Sequence, residues 1–512
     1  MGHSPTEVST SWQYPLSFGA AVKVVLSDTP GVWSCRPDPT FSGGTPAWGL
    51  SQSDIQAAAQ HFGDVGEDGR DGVAEAFVNL LRYQVVPRVP GFRLLRLIPP
   101  PEATGERPDP TGPEAETRVV VGERVAVTWV DQILDAENVA PLLHSHLDAV
   151  DFMSAQETYG ALLWTTPNGH EVPVAWARRY LPRARDGWDW CVDLTRQALG
   201  LVGPRTPRDP WADDFPARLG ALTARLHAAL ATPSKVIPQP TGQADADQLR
   251  AWHAVGRRTL ERAVELAQDD APPGVEQVLL PRAEALQRAI DALATMADER
   301  QRGDPDDQGA VPIQRIHGDL HVGQVLRWSA GLTVVDFHPD PELGFEDLRV
   351  GQVLQSPARD VARLLRSLDH VARVVDKESG FTLTAAVDAW SATARRQLLD
   401  AYAREHSRPA WPDIPHPTSR DEPATTPLDL RSVEPVARPA PTEPPAAAPA
   451  VRRCPVDPRL IAAFEAEQLC REIVYACERL PDWVYAPLGG LWQEYPEGID
   501  EPRRPARHAA TS

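Results

Sequence analysis

Apolar residues along this 512-residue chain follow two different periods, and the changes between them divide it. Val73, Ala76, Phe77, Leu80 and Leu81 recur at helical spacing inside a helix-like stretch over 53–83, with β-like runs at 21–26 and 92–98. Residues 1–98 therefore predict a small cap unit. Residues 99–117 are rich in Pro, Glu and Gly without any apolar period and read as a linker. Over 118–130 two alternating runs meet at Gly122-Glu123, and a second pair, 160–165 and 172–181, meets at Pro167-Asn168-Gly169; both are hairpin signals, making 118–181 a small β-rich unit.

From 182 to 407 the period turns helical. Leu219, Leu222, Leu226 and Ala229 mark one helix, and a longer amphipathic pair follows Ala244. Ser356-Pro357 then opens a helix with a capping hydroxyl and Pro in the first turn, its buried stripe being Val361, Leu364, Leu365, Leu368, Ala372 and Val375. Residues 408–457 hold Pro, Ala and Glu with little periodicity, which predicts a disordered or extended insertion. Helical spacing returns within 458–500, where Leu469, Ile473, Cys477 and Leu480 are expected to face inward.

Composition narrows the class. A hydrophobic fraction of 42% over this length supports two or three packed units. With 51 basic against 71 acidic residues, the net charge of −20 argues against a general attraction to nucleic acid or an anionic membrane surface. Five scattered cysteines without metal spacing suggest free thiols in a reducing compartment. The apolar run at 15–26 is short and interrupted by Lys23, so neither a signal peptide nor a span is expected and the cytoplasm is the default location. The oligomeric state is left open.

The chemistry concentrates in 314–336, Gln-Arg-Ile-His-Gly-Asp-Leu-His-Val-Gly-Gln-Val-Leu-Arg-Trp-Ser-Ala-Gly-Leu-Thr-Val-Val-Asp. One carboxylate, Asp319, sits in a Gly-containing turn, a carboxamide follows at Gln324, and a second carboxylate, Asp336, ends a short apolar strand. This spacing resembles the catalytic loop of protein kinases, His-Arg-Asp-Leu-x-x-x-Asn followed by Asp-Phe-Gly, with Gly for Arg and Gln for Asn. In that chemistry Asp319 orients an acceptor hydroxyl, while Gln324 and Asp336 are hard oxygen donors suited to Mg²⁺. Kinases also carry Val-Ala-Ile-Lys on a strand of the small lobe; Val125-Ala126-Val127-Thr128 has that pattern with Thr in place of Lys, although an ordinary half-buried hairpin explains the alternation equally well.

The same stretch, with Val-Val-Asp-Phe, Ser-Pro-Ala-Arg-Asp-Val-Ala-Arg-Leu-Leu-Arg-Ser-Leu (356–368), Ala-Arg-Asp-Gly-Trp-Asp-Trp near 190, Leu-Thr-Ala-Arg-Leu-His-Ala-Ala-Leu (222–230) and Gln-Leu-Cys-Arg-Glu-Ile-Val-Tyr-Ala (468–476), resembles the actinobacterial glucosamine kinase and maltokinase group of the aminoglycoside-phosphotransferase-like kinases. Leu-His-Val-Gly-Gln after Asp319 and the Cys-Arg-Glu of the last helix are more similar to the glucosamine kinases. The resemblance implies an α+β bilobal protein-kinase-like fold: an N-terminal cap (1–98), a linker (99–117), a β-rich N-lobe (118–181), a helical C-lobe (182–407, resumed at 458–500), and a hinge in the Trp-rich loop 182–190. It implies ATP-dependent phosphorylation of the glucosamine 6-hydroxyl with Mg²⁺. Two alternatives stay open: a maltokinase-like enzyme forming a sugar 1-phosphate, and a catalytically impaired kinase-like sugar- or nucleotide-binding protein.

By the same resemblance Ala126, Thr128, Arg178 and Tyr180 lie at the nucleotide, and His317 and Asp360 support the catalytic turn. His321, Gln468, Arg471 and Glu472 lie at the sugar, with Glu472 as the acid for a protonated amine. Two departures stand out. Thr128 replaces the phosphate-binding Lys, and 118–181 contains no other Lys, leaving Arg124 or Arg178 as available substitutes. His338 stands where relatives carry an acid, with Asp340 close by.

Overall fold

The computed structural model describes residues 11–17, 20–26, 32–37, 73–84, 91–109, 116–130, 133–134, 138–166, 168–203, 205–269, 271–302, 311–337, 354–406 and 456–496. The 53–72 part of the expected first helix, the departures at His338 and Asp340, and nearly all of the 408–457 insertion lie outside them.

Two antiparallel sheets open the chain. Strands β1 (Ser11–Ser17), β2 (Ala20–Leu26) and β3 (Val32–Pro37) pair in order and are joined by the short β8 (Ile133–Leu134). The second sheet has six strands in the order β4 (Phe92–Arg96), β9 (Thr158–Thr165), β10 (Glu171–Arg179), β7 (Val125–Val130), β6 (Glu116–Val121) and β5 (Glu106–Pro108). Both expected hairpins form, β6–β7 and β9–β10.

The sheet also recruits segments from outside the expected small β-rich unit. Strand β4, expected in the cap, pairs with β9, and β5 forms inside the expected linker. An edge strand of three residues ending at Pro108 needs neither alternation nor a full ladder of donors, so its composition reads as loop. Its Arg107 is held by Glu123 and the Tyr180 hydroxyl.

The alternation of β7 gives the sheet two different faces. Val125, Val127 and Trp129 pack against α1 (Val73–Tyr83), whose Phe77, Leu80 and Leu81 are fully buried there. The other face takes Ala126 and Thr128 with their cross-strand partners Arg178 and Trp176 on β10. Trp176 belongs to the core of the large lobe, so this face looks into the junction between lobes. Helix α2 (Ala140–Ala149) crosses there, with His144 ringed by Trp176 and Phe337 at centroid distances of 5.1 and 5.2 Å.

The large lobe contains α3 (Gly187–Ala198), α4 (Phe215–Leu230), α5 (Ala246–Asp269), α6 (Val275–Leu279), α7 (Ala283–Arg302), α8 (Ala358–Glu378), α9 (Thr384–His406), α10 (Pro458–Arg479) and α11 (Tyr485–Glu494). Two short ladders, β11 (Thr241–Ala244) with β12 (Val311–Gln314) and β13 (Val325–Trp328) with β14 (Gly331–Val334), carry the central stretch. On α10 the pattern misassigned one residue: Leu480, expected inward, lies just past the helix and is exposed.

The expected apolar stripe of α8 is buried, and so are Asp360, Arg363, Arg366, Asp369, Arg373 and Asp376 on its other sides. Helical periodicity assumes a wet face; here α3, α9, α10 and α11 surround the helix, so its charges are neutralised by neighbours instead of water. Arg366 meets Glu472 and Glu494, and Arg373 meets Asp369 and Asp388.

Candidate active site

The turn that carries Asp319 is built from backbone outwards. Gly318 has φ +92°, a left-handed conformation that an L side chain adopts only with strain, and this bends the chain between His317 and Asp319. Asp360, fully buried at the start of α8, accepts the backbone N–H groups of His317 at 2.8 Å and Gly318 at 3.0 Å. Its Oδ2 also meets His227 Nε2 of α4 at 3.1 Å, and Tyr402 supports the other ring nitrogen of His227 at 2.9 Å. Burial alone would raise the Asp360 pKa. The hydrogen bond and charge of His227, together with His317 and the Gly318 N–H, overcome it and hold the carboxyl below its ordinary value. Asp360 thus grips the turn through its main chain rather than through the His317 ring.

That ring works across the turn. Its Nδ1 accepts the Asp319 N–H at 3.3 Å, which fixes the proton on Nε2, and Nε2 donates to the Val335 carbonyl at 2.9 Å. Burial pushes His317 below the ordinary histidine pKa, so it stays neutral. Val335 in turn donates its N–H to the Gln324 carbonyl at 3.0 Å. One residue just past β14 therefore ties together the turn bearing Asp319, the short helical turn ending at Gln324, and Asp336, which follows it. Asp336 has φ +52°, an uncommon conformation for a residue with a Cβ and a kind of strain that concentrates at functional positions.

Both carboxylates have cationic neighbours. Asp319 Oδ1 pairs with Arg363 Nη1 at 2.5 Å, one turn beyond Asp360 on α8, and its Oδ2 lies 3.8 Å from His321 Nε2. Asp336 Oδ1 pairs with Arg178 Nη1 at 2.5 Å, although 158 residues separate them. Arg178 is buried with its guanidinium over the Trp176 ring, whereas Arg124, the other suggested substitute, is exposed. His321 caps the helical turn that carries Gln324, accepting the Gly323 N–H at 3.1 Å, and its Nε2 meets the Gln324 side-chain amide at 3.3 Å.

The α10 residues divide into two groups along α8. Arg471 and Arg359 converge on the buried Glu467 Oε1 at 3.0 and 2.9 Å. Glu472 meets Arg366 at 3.2 Å and His370 at 3.0 Å, both on Oε2; its Oε1 has no such contact among the described residues. Burial would raise the Glu472 pKa, but His370 and Arg366 dominate and hold it at about 2. Gln468 lies half-buried one turn earlier on the same face of α10. Arg363, which holds Asp319, and Arg366, which holds Glu472, are three residues apart, an axial rise of about 4.5 Å.

At the expected hinge, the Tyr180 N–H is donated to the Arg124 carbonyl at 2.8 Å, and the Arg179 carbonyl accepts from Gln156 at 2.9 Å. The Trp-rich loop is largely a packing corner. Trp190 is buried and donates to the Val325 carbonyl at 2.9 Å, and Asp186 caps α3 through the Trp188 N–H at 2.8 Å. Gly187 sits so close to the catalytic stretch that a Cβ there would lie 1.7 Å from the Val322 carbonyl oxygen.

Sequence reasoning passed over His227 and Arg363. Both lay in quoted motifs, Leu-His-Ala-Ala of α4 and the α8 turn after Asp360, but only packing brings them to the turn.

Comparison with known proteins agrees with this geometry. No family model matches the chain. It is 30% identical to the glucosamine kinase of Streptacidiphilus jiangxiensis over 442 residues, covering 84% of this chain and 83% of that protein. It is likewise 30% identical to the glucosamine kinase of Mycolicibacterium smegmatis (strain ATCC 700084 / mc(2)155) over 421 residues, covering 82% and 87%. A solved glucosamine kinase in complex with glucosamine, ADP and inorganic phosphate superposes with TM-score 0.62 at 27% identity, covering 94% of this chain and 93% of the other. Another crystal form of a glucosamine kinase gives TM-score 0.64, covering 97% and 95%. With the kinase-like architecture and this extent of similarity, the chain belongs to the glucosamine kinase family.

Proposed function

We propose that this chain is an ATP-dependent glucosamine kinase, transferring the γ-phosphoryl group of ATP to the sugar's 6-hydroxyl. The observation that carries the reading is the catalytic turn: Asp319 is fixed by the Asp360 clamp and the His317 ring, with Gln324 and Asp336 drawn to it through Val335. A relative of the same fold holding glucosamine, ADP and inorganic phosphate supports it.

Phosphoryl transfer needs an oriented acceptor and charge neutralisation more than a strong base. Asp319 accepts the hydrogen bond of the sugar hydroxyl and turns its oxygen toward the γ-phosphate; Arg363 holds the carboxylate in place through its Oδ1. Gln324 and Asp336 fit Mg²⁺, a hard ion that takes a minority of its octahedron from protein oxygens and the rest from phosphates and water. Held there by Gln324 and Asp336, such an ion would supply charge neutralisation at the phosphates. Ala126 and Thr128 form the small-side-chain face beneath the nucleotide, with Tyr180 at the hinge. With the Tyr180 N–H already donated, the adenine takes its contacts from adjacent backbone.

For the sugar, Glu472 remains anionic at neutral pH and has Oε1 available for an ammonium group, with Gln468 beside it and His321 and Arg471 toward the hydroxyls. A cap, N-lobe and C-lobe divided near residues 98–118 and 181 remain the domain reading, with β4 and β5 assigned to the N-lobe sheet. Cys191, Cys470 and Cys477 are free thiols, and no helix among the described residues is long and apolar enough to cross a membrane; both fit a cytoplasmic setting.

A coupled ADP-release assay over a panel of sugars tests the reading. Turnover with glucosamine that disappears in Asp319→Asn is expected, with product phosphorylated at the 6-position. A 1-phosphate product would favour the maltokinase-like alternative. Measurable nucleotide binding without turnover of any sugar would refute kinase activity in favour of a binding protein.

A further inference from the structure

The face of the N-lobe sheet proposed for the nucleotide lacks the lysine that kinase chemistry uses there. Kinases place a lysine on this strand and pair it with a glutamate of the following helix. Here both partners are absent: β7 carries Thr128, and the buried polar positions of α2 are His144 and His146, while its acid, Asp148, is exposed. A threonine hydroxyl cannot supply a point charge to a triphosphate.

Two arginines flank Thr128 on the same face. Arg118 lies directly opposite it on β6, and Arg178 lies opposite Ala126 on β10, diagonal to Thr128. Arg118 is half-buried and has no ion pair among the described residues. Arg178 is 3% exposed at its side chain, lies over Trp176 and reaches Asp336 with Nη1. Its other donors, Nε and Nη2, are buried and have no hydrogen-bond partner among the described residues. A desolvated guanidinium with the N–H donors of two nitrogens unmet is poised for a further acceptor. Its fork suits phosphate oxygens, and its Nη1 already rests on the carboxylate that meets the metal.

We propose that Arg178 supplies the phosphate-facing cation of this nucleotide site in place of the lysine lost at Thr128, bridging Asp336 to the phosphates through Nε and Nη2. The charge has moved from β7 to the neighbouring strand β10. The assignment rests on the nucleotide site proposed above and assigns its phosphate contact to one side chain. Because Arg178 is part of the protein, the site retains a preference for phosphorylated ligands even when divalent ions are removed.

The test is calorimetric titration of adenosine and ADP in EDTA, which reads binding without turnover. Wild type should prefer ADP to adenosine by roughly 10- to 100-fold, the worth of one or two charge-assisted hydrogen bonds. Arg178→Met should lose that preference while binding adenosine within about twofold of wild type, adenosine lacking the groups this residue contacts. Thr128→Lys, made in the otherwise unchanged chain, should add no preference, because the cation is already in place, and should lower the melting temperature by setting two cations side by side. This second variant decides the matter even if Arg178→Met does not fold. The proposal is overturned if Arg178→Met keeps the preference, if it loses adenosine and ADP binding by the same factor, if the preference is lost with Arg118→Met instead, or if Thr128→Lys strengthens ADP binding tenfold. A wild type that binds no nucleotide would remove the nucleotide-site reading itself.

Discussion

Asp360 makes no contact with the proposed substrates in this reading, yet replacing it should disable the enzyme. Three donors converge on its carboxylate, the His317 and Gly318 N–H groups and His227 Nε2, at 2.8, 3.0 and 3.1 Å. Asp360→Asn preserves shape, but the amide retains one acceptor oxygen and presents an NH₂ group to backbone donors. About two buried donors are then left unmet at ~1–3 kcal/mol each, offset in part by no longer burying an anion, for a net loss of roughly 3 kcal/mol. At about 1–2 °C per kcal/mol for a chain of this size, the melting temperature should fall by roughly 3–6 °C. The turn carrying Asp319 loosens with it, and a displacement of about 1 Å of the orienting carboxylate is worth about 100-fold in kcat. KM for ATP should change little. The pH dependence has a definite sign: the folded-state pKa of Asp360 lies below its ordinary value, so its stabilisation is present above the ordinary carboxylate range and lost as pH falls through the folded value. Melting curves of wild type and variant should therefore converge only in acid, below about pH 4. Equal melting temperatures at neutral pH together with wild-type kcat would refute the clamp.

Further outcomes follow from the same contacts. Gly187→Ala places a Cβ inside the Val322 carbonyl. It should cost roughly 2–3 kcal/mol by overpacking and lower kcat by displacing the loop that bears Gln324, measured by urea unfolding and steady-state kinetics. Glu472→Gln should raise KM for glucosamine about tenfold or more by removing the proposed charge partner of the amine, with KM for ATP unchanged. The fold should survive, because Arg366 retains Glu494 at 3.3 Å. Since Glu472 titrates at about 2, the wild-type KM for glucosamine should stay flat through mildly acidic pH and rise only as the substrate's own amine deprotonates.

Local pattern was enough for much of this protein. Strand β7 alternates because one side meets α1 and the other the lobe junction, and the hairpins carry their turn residues in sequence. Gly318 and the spacing of Asp319, Gln324 and Asp336 announce a phosphoryl-transfer loop because that geometry is set within 23 residues. The strand character of 92–98 was legible but the sheet it joins was not, and β5 was hidden altogether, since an edge strand takes its place from its partner rather than from its own period. The charged side of α8 gave no sign of burial, because periodicity records hydrophobicity and not the neighbours that can neutralise a charge.

The sequence by itself determined the kinase-like motif, the spacing of Asp319, Gln324 and Asp336 and the threonine at position 128, since each is written in consecutive residues. Tertiary structure alone decided what surrounds them: His227 beneath Asp360, Arg363 on Asp319, Glu472 gripped by one oxygen, and Arg178 rather than Arg124 on Asp336. The physical reason is that a charge acts over a few ångströms of space, and Arg178 and Asp336 reach hydrogen-bonding distance only after folding brings together segments 158 residues apart.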